Sequence, residues 1–68
     1  MRTEYLSALG GKVRTRRERL SFSQTTLARK AGVHPNVVGR LERGVHNPTV
    51  LTLRAIAGAL RVRMRDLV

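Results

Sequence analysis

The chain has 68 residues, no cysteine and a formal net charge of +10, fourteen lysines and arginines standing against four acids. So short a chain buries only ~60% of the surface its unfolded form exposes, and without cysteine no disulfide or thiolate metal site can reinforce its core. Four carboxylates and no glycine-rich phosphate loop offer no nucleophile–base pair or metal cluster, so neither an enzyme nor a bound cofactor is expected. Twelve of the fourteen cations are arginine, whose rigid donor fork matches phosphate oxygens and base edges. Such an excess of one sign repels itself and calls for an anionic partner, with nucleic acid as the first candidate and an anionic membrane surface as the second. No apolar run approaches the ~20 residues needed to span a bilayer, and the start of the chain carries no signal-like core. A cytoplasmic or nucleoid-associated location is the expectation.

No stretch alternates apolar and polar residues as a strand would. The apolar positions fall at helical spacing, which predicts five short helical segments separated by tight turns. The first runs from about Leu6 to Leu20, with Leu9, Val13 and Leu20 on one side. Gly10-Gly11 weakens its start, and the preceding residues, Tyr5 included, form either an extra turn or a loose arm. Ser23 caps the second helix, Gln24 opens it, Leu27, Ala28 and Ala31 face inward, and Gly32 ends it in the left-handed conformation. His34 caps the third, Pro35 takes its first position, and Gly44 closes it. Thr49, after Asn47-Pro48, caps a fourth helix whose inward stripe is Val50, Leu53, Ile56, Ala57 and Leu60. A last turn spans Met64 to Leu67. The expected architecture is an all-α, compact five-helix bundle containing a helix-turn-helix at about residues 24–43.

On a wheel of ~100° per residue, Val38 and Leu41 lie on one side of the third helix, with Val37 at its margin. Asn36, Arg40 and Arg43 lie on the other. An amide and two guanidiniums are the groups that pair with adenine and guanine edges, although an ordinary solvated face would look the same. Glu42 falls near the edge of the inward face, in a chain where acids are scarce. His34 and His46 are separated by a helix and lack supporting cysteines, so no metal site is expected.

The run from Ser23 to Val33, followed by Val38-Gly39-Arg40-Leu41-Glu42-Arg43-Gly44 and Asn47-Pro48-Thr49, resembles the Cro/C1-type (XRE) helix-turn-helix family. The resemblance covers about Leu9 to Leu67 and implies one DNA-binding domain over residues 1–68. It implies that Gln24 contacts a phosphate of double-stranded DNA, and that Asn36, Val37 and Arg40 read bases. Arg43 and Asn47 would contact the backbone beyond them. Arg17 and Glu42 would pair to tie the first helix to the end of the third. Two positions depart from the family pattern. Arg16 stands where leucine is common, implying looser packing or an extra phosphate contact. Gly39 stands where serine or a similar residue is common.

Leu51, Ala55 and Ala59 lie off the inward stripe of the fourth helix. With Val62, Met64 and Val68 they are the candidate homodimer interface, dimerisation through the C-terminal part being common in the resembling family. The implied function is a transcriptional regulator on a palindromic operator, with no small-molecule ligand. The competing functions are RNA or single-strand binding, for which Tyr5 and Phe22 are the only aromatic residues, and a membrane-active basic helix, which would have to give up the apolar stripes that close the bundle.

Overall fold

A computed structural model describes residues 2–68, with side chains from Glu4 onward. Among the described residues there are four α-helices, not five: α1 (Arg2–Arg19), α2 (Gln24–Ala31), α3 (Pro35–Glu42) and α4 (Val50–Ala59). The expected fifth helix is a single 3-10 turn, Met64–Asp66. No strand is present among these residues, and no helix is long and apolar enough to cross a membrane. Helix α2 packs against both α3 and α4, α1 packs against α3, and the terminal turn packs against α4.

Leu9, Val13, Leu27, Ala28, Val38, Leu41, Leu53, Ile56, Ala57, Leu60 and Leu67 form one buried cluster. Every helix contributes, and Leu67 enters from beyond the terminal turn. Val50 departs from the expected stripe: at the first position of α4 and on the margin of its inward face, it is 66% exposed. Leu20 is half-buried against the cluster and not part of it.

Ser23, His34 and Thr49 cap α2, α3 and α4, accepting from the backbone N–H groups of Thr26, Asn36 and Thr52 at 2.9, 3.0 and 3.1 Å. The four helices also end alike. Past each last turn, one residue takes a positive φ: Ser21, Gly32, Gly44 and Arg61. The next N–H then bonds back five residues, Phe22 to Arg17, Val33 to Ala28, Val45 to Arg40 and Val62 to Ala57, all at 2.9–3.0 Å. These are Schellman-type ends, which satisfy carbonyls the helix leaves open. Reversal at Arg61 folds the C-terminal turn back onto α4. It carries Val62 and Met64 partly against the core, where Ala59 at the end of α4 also lies, so these three expected interface residues are not freely displayed.

Helix α1 begins at Arg2, four residues before the expected Leu6, and takes in Tyr5 as a further turn. Met1, also part of the expected N-terminal extension, lies outside the described residues. The glycines that argued for a weak start have a packing role. A Cβ on Gly10 would collide with the carbonyl oxygen of Leu41 and lie 2.8 Å from that of Glu42, so the bare Cα lets α1 lie directly on the end of α3. At Gly11 a Cβ would meet open space. Gly10→Ala should therefore lower stability by about 1–3 kcal/mol through overpacking, whereas Gly11→Ala should raise it by about 0.4–1 kcal/mol. Chemical denaturation of both variants checks the opposite signs.

Candidate nucleic-acid interface

The capped start of α2 and the outward face of α3 meet at a cleft of about 400 Å³ lined by Gln24, Thr25, Pro35, Asn36, Gly39, Arg40 and Arg43. The Ser23 cap serves the N–H of Thr26, which leaves those of Gln24 and Thr25, the first of the helix, without an intrahelical acceptor. At the other rim, Pro35 spends no N–H at the helix start, and the rest of the short helix offers one amide and two guanidiniums. Gln24, Asn36, Arg40 and Arg43 are all exposed. Among the described residues the ion pairs are Arg14–Glu18 and Arg17–Glu42, so Arg40 and Arg43 face the cleft with no carboxylate partner.

Behind this cleft lies the tightest polar contact of the fold. Arg17 Nε and Nη2 donate to the two Glu42 carboxylate oxygens at 2.6 and 3.0 Å. Arg17 Nη1 donates to the Phe22 carbonyl oxygen at 2.8 Å. Gln24 Nε2 donates to the same Glu42 Oε1 that accepts from Nη2, at 3.0 Å. The Glu42 side chain is only 4% exposed and that of Arg17 12%. Donating to the Glu42 carboxylate holds the Arg17 guanidinium above its ordinary pKa, against a smaller opposing effect of burial. One carboxylate thus joins the end of α1, the start of α2 and the end of α3.

The remaining expected residues are placed as follows. Val37 is half-buried on the flank of α3 and does not line the cleft. Asn47 is exposed in the loop between α3 and α4. Arg16 is half-buried and lines a separate groove of about 560 Å³ with Ser7, Gly11, Lys12 and Asp66; the two cavities share no residue. Leu51 is 74% exposed and Ala55 half-buried. Phe22 is half-buried, with the Lys30 ammonium 5.3 Å from its ring centre.

Three cleft residues, Thr25, Pro35 and Gly39, were not singled out from the sequence as part of a site. The helical wheel carried a signal for Gly39, which falls in the same outward sector as Arg43. A Cβ there would make near-ordinary contacts, 3.4 Å from Gln24 Oε1 and 3.5 Å from Arg43 Nη1. Its bare Cα is the floor between those two side chains.

Residues 13–67 match the model of the HTH_3 family, described as helix-turn-helix, and the chain belongs to that family. It is 32% identical over 60 residues to the immunity repressor protein of Bacillus phage phi105, covering 88% of this chain and 42% of the relative. It is 35% identical over 60 residues to the HTH-type transcriptional regulator SlrR of Bacillus subtilis, covering 87% and 40%. The chain thus spans about two fifths of the length of these curated relatives. The crystal structure of the restriction-modification controller protein C.AhdI from Aeromonas hydrophila superposes with a TM-score of 0.90 at 33% identity, covering 93% of this chain and 96% of that one.

Glu42→Ala would leave the Arg17 guanidinium buried with only the Phe22 carbonyl to meet it. The expected loss is about 3 kcal/mol, at the low end for removing one partner of a buried pair because that carbonyl remains. Arg14→Ala, at the exposed Arg14–Glu18 pair, should change stability by less than about 1 kcal/mol. Thermal melts of the two variants measure the contrast.

Proposed function

We propose that this chain is the DNA-binding part of a transcriptional regulator, with α3 entering the major groove of double-stranded DNA. The observation that carries this function is the convergence of Gln24, Asn36, Arg40 and Arg43 on one cleft of a chain with net charge +10. Asn36 and Arg40 stand one helical turn apart, a spacing that suits two nearby base edges, and they are the proposed base readers. Val37, on the flank, is placed to meet a thymine methyl at most. Gln24 and the first N–H groups of α2, those the Ser23 cap leaves without an acceptor, face phosphate, as a helix N-terminus favours. Arg43 and Asn47 extend the backbone contact. Arg16 faces another groove and belongs to the general electrostatic attraction. Single-strand or RNA recognition lacks a stacking platform, because neither Phe22 nor Tyr5 lines the cleft. The relatives named as repressor and transcriptional regulator support the same function.

If each subunit neutralises ~4 phosphates and two subunits bind, log affinity should fall against log salt with a slope near −7. Arg40→Ala should cost about 1–3 kcal/mol on the preferred site and relax preference at one base position of each half-site. Arg43→Ala should weaken binding alike on every sequence and reduce the salt slope by about one per subunit. Titrations on a duplex selected from a random pool and on an unrelated duplex, at three salt concentrations, separate the two behaviours. Equal loss on both duplexes for Arg40→Ala would remove it from the base readers.

The bound species in this proposal is a homodimer, on half-sites about one helical turn, ~34 Å, apart. Leu51 and Ala55 are its centre, since Leu51 is the most exposed large apolar side chain among the described residues. Ala59, Val62 and Met64 contribute only the edges that the core leaves free, and Val68, 53% exposed, adjoins them. Leu51→Glu should leave the melting temperature unchanged within about 3 °C, a surface substitution being worth under ~0.5 kcal/mol. The same variant should abolish dimers in sedimentation, with footprints shortened to one half-site. A symmetric two-site footprint retained by this variant would refute the interface.

A further inference from the structure

The Glu42 carboxylate accepts hydrogen bonds and cannot donate them, so only the amide nitrogen of Gln24 can meet it, as the 3.0 Å contact from Nε2 records. That fixes the polarity of the amide. Its nitrogen points inward at Glu42, and its oxygen lies over Gly39, 3.4 Å from where a Cβ would stand. Gln24 is otherwise exposed, and an exposed glutamine turns freely between its two amide orientations. Here the acceptor is itself immobile: Arg17 grips both carboxylate oxygens and spends its remaining nitrogen on Phe22.

We infer that Glu42 is a positioning residue for the DNA contact of Gln24, an inference that rests on the duplex-binding function proposed above. Arg17 fixes Glu42, Glu42 fixes the Gln24 amide, and the second N–H of that amide is left for a phosphate oxygen beside the free N–H groups of Gln24 and Thr25. A side chain ordered before binding contributes its hydrogen bond without the ordering cost that a free one incurs. A hydrogen bond to a carboxylate is roughly twice as strong as one between neutral groups, which makes Glu42 a better anchor than the isosteric glutamine. Gly39 lies beneath the same device, where a Cβ would stand in near-ordinary contact with the Gln24 oxygen and the Arg43 guanidinium, 3.4 and 3.5 Å away.

Two measurements test the inference. In the free wild-type protein, the Gln24 side-chain amide should be as ordered by ¹⁵N relaxation as the α2 backbone, and Glu42→Gln should release it. An amide in the wild type as mobile as that of any open-surface glutamine overturns the inference without recourse to a variant. In duplex titrations, Gln24→Ala should weaken binding by about tenfold, equally on all sequences. Glu42→Gln should cost about threefold to tenfold while remaining folded by circular dichroism, and Gln24→Ala should cost clearly less in the Glu42→Gln background than in the wild type. A Gln24→Ala loss of the same factor in both backgrounds overturns the coupling and leaves Glu42 a purely structural residue. Failure of the wild type to bind any duplex would overturn the function itself. The amide spectrum, which needs no DNA, tells that failure apart from failure of the positioning.

Discussion

The Glu42 carboxylate is held by three donors from two other helices, two from Arg17 at the end of α1 and one from Gln24 at the start of α2. Its own backbone lies where α3 ends, against the bare Cα of Gly10. The angle at which α3 presents Asn36, Arg40 and Arg43 is therefore fixed from two directions. Gly10 sets how closely α1 approaches, and the ion pair sets the orientation. Burying two charges is expensive, and well-packed apolar residues in their place often do as well or better for stability. What an apolar pair would lack is direction. A bidentate guanidinium–carboxylate contact tolerates one geometry, and a helix as short as α3, two turns long, has little other means of holding its register.

The apolar core is only large enough to define which helices touch. Eleven residues form it, four of them only valine or alanine, and much of the remaining order comes from helix ends. Three side-chain caps and four left-handed termini satisfy backbone groups that a small core could not afford to leave open. Two of those termini fall at Ser21 and Arg61, where an L side chain in the left-handed region costs roughly 1–2 kcal/mol. The first precedes Phe22, whose carbonyl receives Arg17. The second turns the chain so that Leu67 fills the core. In both places backbone strain is accepted where the following residue has a packing or bonding role.

This explains what the sequence could and could not disclose. Helices α2, α3 and α4 were legible nearly to the residue, because Ser23, Gly32, Pro35, Gly44 and Thr49 mark boundaries by local chemistry. The outward face of α3 was legible because a wheel needs only the sequence. The start of α1 stays open in the sequence between an extra turn and a loose arm, since Gly10 reads locally as a weakness and only the position of the Leu41 carbonyl reveals its use. The terminal segment was overestimated as a helix. It ends as one 3-10 turn, because reversal at Arg61, a residue with no turn signature, sends the chain back onto α4 within a few positions. The same reversal draws Val62 and Met64 toward the core, which no wheel of α4 could anticipate.

The charge distribution ties stability to partner binding. Of the fourteen cations, Arg14 and Arg17 alone form ion pairs among the described residues, and Arg14 does so at the surface, where the gain is small. The others repel one another across a molecule whose longest extent is 29 Å, between three and four screening lengths of about 8 Å at physiological salt, so near neighbours on one face still feel each other. An anion in the cleft between α2 and α3 lowers that self-repulsion and bonds groups already aimed at it. A ligand that binds only the folded state stabilises it by an amount that grows with concentration over the dissociation constant, about 2.7 kcal/mol at a hundredfold excess. For a chain this small, that is a substantial share of the total stability. Unpaired cleft cations thus disfavour the free fold and would favour it only with an anion bound, whereas Arg17 is neutralised internally by Glu42. The fold keeps one internally neutralised arginine to hold α3 in place, and leaves Arg40 and Arg43 for an external anion to neutralise.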